Sequence, residues 1–171
     1  MKKIYILLLT VLFAAGTNAQ VANYTFASTA GTYTAISGGT ILSAVGASND
    51  DNTYGAVPIG FNFIYNGTTY TTIGVNSNGY VAFGGTAPGN FYDGSSIQNV
   101  ANAAHPFSED LMGNVAGCEI EYLVTGAAGS RIFTLQWKNW GFYNLGVTTG
   151  AEINFQLTFC RSFGCNNHNP V

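Results

Sequence analysis

Seven consecutive residues, Ile153-Asn154-Phe155-Gln156-Leu157-Thr158-Phe159, alternate apolar and polar side chains without a break. An extended strand sends successive side chains to opposite faces, so Ile153, Phe155, Leu157 and Phe159 share one face and Asn154, Gln156 and Thr158 the other. Ile132-Phe133-Thr134-Leu135-Gln136-Trp137-Lys138 does the same, with Phe133, Leu135 and Trp137 on one side. Strands with one apolar and one wet face belong to antiparallel sheets. After Gln20 no segment has a sustained helical period; the best helix candidate is 97–104, which Pro106 would end. The remaining chain is short alternating runs cut by Asn, Asp, Ser and some of the 22 glycines. The expected fold is therefore an all-β antiparallel β-sandwich, jelly-roll or immunoglobulin-like in the broad sense.

Turn chemistry sets the register. Phe61 to Tyr65 enters Asn66-Gly67 and leaves through Thr68 to Ile73, a two-residue hairpin that places Tyr70 opposite Phe63. A second turn at Asn78-Gly79 separates Ile73-Gly74-Val75 from Tyr80-Val81-Ala82-Phe83. With Tyr24-Thr25-Phe26, Tyr33-Thr34-Ala35-Ile36, Thr40-Ile41-Leu42 and 119–124, the runs number about nine, enough for one domain over residues 20–159. Most runs are five to seven residues long, shorter than the 9 to 11 residues of a membrane-spanning barrel strand. The stretch from Gly84 to Ser96 reads as a long loop, where binding function tends to sit.

The first 19 residues read as a secretory signal: Lys2-Lys3, an apolar stretch, then small residues before Gln20. Only 8% of the chain is charged, against about 25% in ordinary soluble domains. Once Lys2 and Lys3 leave with the signal, Arg131, Lys138 and Arg161 face eight carboxylates. Three cations cannot form a nucleic-acid footprint. With 14% aromatic residues, intrinsic disorder is excluded as well. The three cysteines predict a Cys160–Cys165 bridge in an oxidising compartment and a buried, inert Cys118. Cys160, Cys165 and His168 are too few and too poorly spaced for zinc.

Three groups of residues form a series: Val57-Pro58-Ile59-Gly60-Phe61-Asn62-Phe63; Asn66-Gly67-Thr68-Thr69-Tyr70; and Val75-Asn76-Ser77-Asn78-Gly79-Tyr80-Val81-Ala82-Phe83-Gly84. The series, with the runs at 133–140 and 153–157, resembles the N-terminal β-sandwich module of secreted Bacteroidetes-type surface proteins that are type IX secretion substrates. It is more loosely similar to nidogen-like extracellular domains. Two departures stand out. His105-Pro106-Phe107-Ser108-Glu109-Asp110-Leu111 has serine where that module carries tryptophan, and 160–171 lacks the alternation of a final strand. The tail is thus expected to be atypical, from truncation or a frameshift. The resemblance implies a secreted or cell-surface, non-catalytic interaction or adhesion module.

Chemistry-bearing residues are sparse. Ser77, in Gly74-Val75-Asn76-Ser77-Asn78-Gly79, sits in a hairpin turn with one residue too many for a nucleophile elbow. No phosphate-cradling motif exists, since Lys138 is the only lysine after the signal. Glu119 and Glu121 share a strand face about 7 Å apart, within glycosidase range, but the pattern around them reads as a solvent face. No catalytic residue or obligatory cofactor is expected. Asp50 and Asp51 in Asn49-Asp50-Asp51-Asn52, with Glu109 and Asp110, offer oxygen ligands for calcium. Phe91, Tyr92 and Asp93 in the long loop, with Trp140, Phe142 and Tyr143 beyond the strand ending at Lys138, form the expected ligand face, a cap on the sandwich core being the alternative for Trp140. Flat aromatics beside Asn and Asp suit a glycan or protein ligand. A carbohydrate-binding module, a structural stalk and a glycan-degrading enzyme are the competing readings.

Overall fold

The computed structural model describes residues 26–43, 49–86, 89, 100–113, 116–144 and 147–161. The chain divides into two units, 1–30 and 31–171. In the first, only 26–30 are described, and they lie exposed outside any strand. The expected signal, Tyr24-Thr25 and most of the tail fall outside the described residues.

The second unit is all-β. Its strands are β1 (Thr40–Ser43), β2 (Thr53–Tyr65), β3 (Thr68–Asn76), β4 (Tyr80–Phe83), β5 (Ala103–Ala104), β6 (Leu111–Met112), β7 (Glu119–Thr125), β8 (Ile132–Asn144) and β9 (Val147–Cys160). One antiparallel sheet runs β2-β3-β4-β5. The other runs β1-β7-β8, with both β6 and β9 also on β8. Leu111 and Met112 pair with Phe142 and Gly141, beyond the part of β8 that β7 occupies.

The two sheets pack face to face as a β-sandwich. Phe159 of β9 meets Phe63 and Phe83 of the opposite sheet at 4.7 and 5.3 Å between ring centroids. Ile59, Ile73, Val75, Leu111, Ile120, Phe133, Leu135 and Trp137 are buried around them. Phe133, Leu135 and Trp137 are among them, as alternation predicts. The Asn66-Gly67 hairpin forms with Phe63 opposite Tyr70, both turn residues at positive φ.

Three expectations need correction. β2, β8 and β9 have 13, 13 and 14 residues, not five to seven. The ladders of β2 and β8 continue through irregularities where Ala56, Gly60 and Asn139 take positive φ. Each extra residue breaks the two-residue alternation, so the sequence pattern stops while the strand does not. Strand length thus gives no argument against a barrel; the two separate sheets do. The expected helix at 97–104 is not formed over its described part. Ala103 and Ala104 pair with Ala82 and Val81, and Asn102, at positive φ, accepts the Phe83 N–H at 2.8 Å. Finally, Tyr33 to Ile36 forms no strand. Its Ile36 N–H, Ile36 carbonyl and Thr34 carbonyl bond to glutamine side chains instead.

Candidate functional site

At one end of the sandwich, the β3–β4 turn is buried although it is polar. Asn76, Ser77 and Asn78 have no exposed surface. Each satisfies a separate piece of chain. The Ser77 N–H donates to the Asn52 carbonyl and its Oγ accepts from the Asn52 N–H, both at 2.9 Å. Asn76 Oδ1 accepts from the Asn78 N–H at 2.8 Å, and Asn76 Nδ2 donates to the Gly89 carbonyl. The Tyr80 hydroxyl donates to that same carbonyl. Asn78 accepts from the Leu111 N–H with its side chain and from the Glu109 N–H with its carbonyl. Its Nδ2 donates to Asp51 Oδ1 at 3.1 Å. Ser77 Oγ is therefore occupied and inaccessible, which removes the nucleophile reading.

The turn thereby fixes two acidic segments. Gly113 donates to the Asn49 carbonyl at 2.9 Å, and Asp50 bridges to Met112. The result brings Asp50, Asp51 and Asp110 together, with one carboxylate oxygen from each within 4.8 Å of the others. Burial pushes the Asp50 and Asp110 carboxyls above the usual aspartate range. Asp51 adds like-charge repulsion to Asp50; Asp50, Asp51 and Glu109 add it to Asp110. Asp50 Oδ1 is buried with no hydrogen-bond partner among the described residues. Three crowded carboxylates, one with an orphaned oxygen, fit the hard oxygen-donor set of calcium. Glu109 is not one of the three.

Segments that carry aromatic residues join the Asp110 segment through the backbone. The Tyr143 N–H donates to the Asp110 carbonyl at 2.8 Å, and Phe142 pairs with Leu111. The Phe107 ring is 5.8 Å from Phe142 and stacked at 5.1 Å on Phe155, which stacks on buried Trp137 at 4.9 Å. Phe107 and Tyr143 are 38% and 36% exposed. Phe107 was missed from sequence; its place immediately before Ser108-Glu109-Asp110 was the available signal. Trp140, expected in an exposed loop after Lys138, lies within β8 and is fully buried, its Nε1 donating to the Glu119 carbonyl at 3.0 Å. It carries no contact surface for a ligand. Phe91, Tyr92 and Asp93 fall outside the described residues.

The other sheet face corrects the reading of the glutamates. Glu121 is not solvated: it is 3% exposed, accepting from the Gly39 N–H and the Gln136 side chain. Glu119 is paired with Lys138 at 2.8 Å. A carboxylate held under backbone and one neutralised by lysine do not form a paired acid and base facing a cleft. Cys160 is disulfide-bonded, its expected partner Cys165 lying outside the described residues. Cys118 is a buried thiol donating to the Gly113 carbonyl at 2.9 Å. Among the described residues no helix is long and apolar enough to cross a membrane.

A family model described as NIDO related, that is nidogen-related, matches residues 23–161. No curated protein and no solved structure matches the chain.

Proposed function

The chain belongs to the nidogen-related family, and from that premise we propose that it is a non-catalytic interaction module of an exported bacterial surface protein. The export signal read in residues 1–19 and the Bacteroidetes-type resemblance support the cell-surface setting. The proposed ligand is an extracellular glycan, bound at the end of the sandwich that carries Asp50, Asp51 and Asp110 and the segments of Phe107, Phe142 and Tyr143. The observation that carries this reading is the crowding of three carboxylates, one oxygen orphaned, on a segment whose neighbours in chain and in backbone pairing include the exposed Phe107 and Tyr143.

The division of labour follows from the side chains. Calcium on the three carboxylates would relieve their repulsion and supply a Lewis-acidic point for hydroxyl oxygens. Phe107 and Tyr143 offer flat apolar area for a sugar ring at low entropic cost. A glycan array probed with the full chain, with calcium and with chelator, tests the proposal. Retention that needs calcium and is lost in Phe107→Ala and Tyr143→Ala supports it. Envelope co-fractionation with no retained glycan would instead favour a structural stalk.

A further inference from the structure

The outer face of the five-stranded sheet carries a row of polar side chains in register: Glu121 on β7, Gln136 on β8 and Gln156 on β9. Gln136 has no exposed surface although it points away from the core. It is covered by the extended segment leading to β1. Its Oε1 accepts from the Ile36 N–H at 2.9 Å and its Nε2 donates to the Ile36 carbonyl at 3.2 Å. One side-chain amide thus makes both bonds that a neighbouring strand would make. Gln156 Nε2 donates to the Thr34 carbonyl at 2.8 Å, and Glu121 accepts from the Gly39 N–H. Among the described residues, the side chain of this strap (residues 32–37) that hydrogen-bonds to the row is Tyr33, whose hydroxyl donates to Gln136 Oε1 at 2.8 Å.

We infer that this row is a receptor for extended backbone whose partner in trans is the same strap of a second copy, giving an exchanged dimer. Three features carry the inference. The row reads peptide groups, so an identical segment from another chain makes identical bonds. The strap hides little apolar surface: Thr32, Tyr33, Thr34, Ala35 and Ser37 are exposed and only Ile36 is half-buried. Release therefore exchanges hydrogen bonds for water at small cost. The strap also joins β1 through a hinge, Gly38-Gly39. Gly38 holds φ at +80° with open space around it. Gly39 passes so close to β7 that a Cβ would lie 2.2 Å from the Tyr122 carbonyl oxygen. The hinge is thus the one point that must change between closed and exchanged forms.

Sedimentation equilibrium of the full chain, from micromolar to near-millimolar concentration, tests this. Proline at position 38 cannot take positive φ, so Gly38→Pro opposes the closed turn and spares the receptor row. The dimer dissociation constant should fall about tenfold or more, the effect of roughly 1.4 kcal/mol. Adding Gln136→Leu to Gly38→Pro should return the chain to monomer, with near-ultraviolet dichroism of the buried tryptophans reporting an intact core. A Gly38→Pro chain that stays monomeric throughout, or a dimer that persists with Gln136→Leu, overturns the inference.

Discussion

Trp137 and Trp140 stand three residues apart on β8, yet both are fully buried. A regular strand would turn one of them to solvent. The extra residue lies between them, where the β8–β9 register shifts and Asn139 adopts φ 55°. Asn139 Nδ2 donates to the Gly117 carbonyl, and its N–H donates to Asn154 Oδ1. Asparagine tolerates this backbone region better than most residues. A β-branched residue does not, so Asn139→Val should lower stability by about 1–2 kcal/mol in urea unfolding, whereas Asn139→Gly should cost less.

Burial separates the two ends of the expected 140–143 face. Trp140→Ala empties a core site against Gly113, where even a Cβ would lie 2.9 Å from the indole. It should destabilise by about 3–5 kcal/mol. Tyr143→Ala should change stability by about 0.5 kcal/mol or less, as exposed positions do. Thermal unfolding of both variants measures the contrast.

The aspartates fix a pH signature. Asp50 and Asp110 are raised above the ordinary carboxylate value by burial first and like charge second. A raised carboxyl stabilises the fold fully below its unfolded pKa, and that contribution is lost as pH climbs through the folded pKa. Chelator-treated protein should therefore lose stability as pH rises through and just above the ordinary aspartate range. Asp50→Asn, which removes one charge of the three, should flatten that slope in a series of melts.

Above that window calcium should reverse the loss. At a concentration about 100 times its Kd, a cation binding only the folded state adds about 2.7 kcal/mol. For a chain of this size that is roughly 5–10 °C in Tm. The gain should vanish in acid, where the carboxyls hold protons, and in Asp50→Asn at any pH.

Gly79 couples the fold to the site. It sits at φ +82°, and a Cβ there would lie 3.1 Å from Phe107 Cβ, Phe155 Cζ and the Ser108 nitrogen. Gly79→Ala should cost at least about 1–2 kcal/mol from the backbone alone. It should also displace the 107–110 segment and weaken cation binding more than a remote variant of equal instability does.

Local chemistry carried the legible part of the fold. Asn66-Gly67 specified a hairpin and its register, and unbroken alternation placed Phe133, Leu135, Trp137 and Phe159 inside. Asp50, Asp51 and Asp110 were identifiable as oxygen donors, although Asp110 is far from the other two in sequence. What escaped was non-local. An inserted residue at Asn139 carries Trp140 inward, and no pattern before it signals the insertion. Gln136 and Glu121 look like wetted strand positions; only the strap laid over them makes them buried. Ala103-Ala104 has no strand preference of its own and is extended because β4 offers it an edge.

The most direct measurement is a calorimetric titration of calcium into the chelator-treated full chain near neutral pH, beside Asp50→Asn. Saturable binding of one ion per chain, abolished by the substitution, is the predicted outcome. No heat in either protein, or equal binding in both, would contradict a calcium-supported binding end built on Asp50, Asp51 and Asp110.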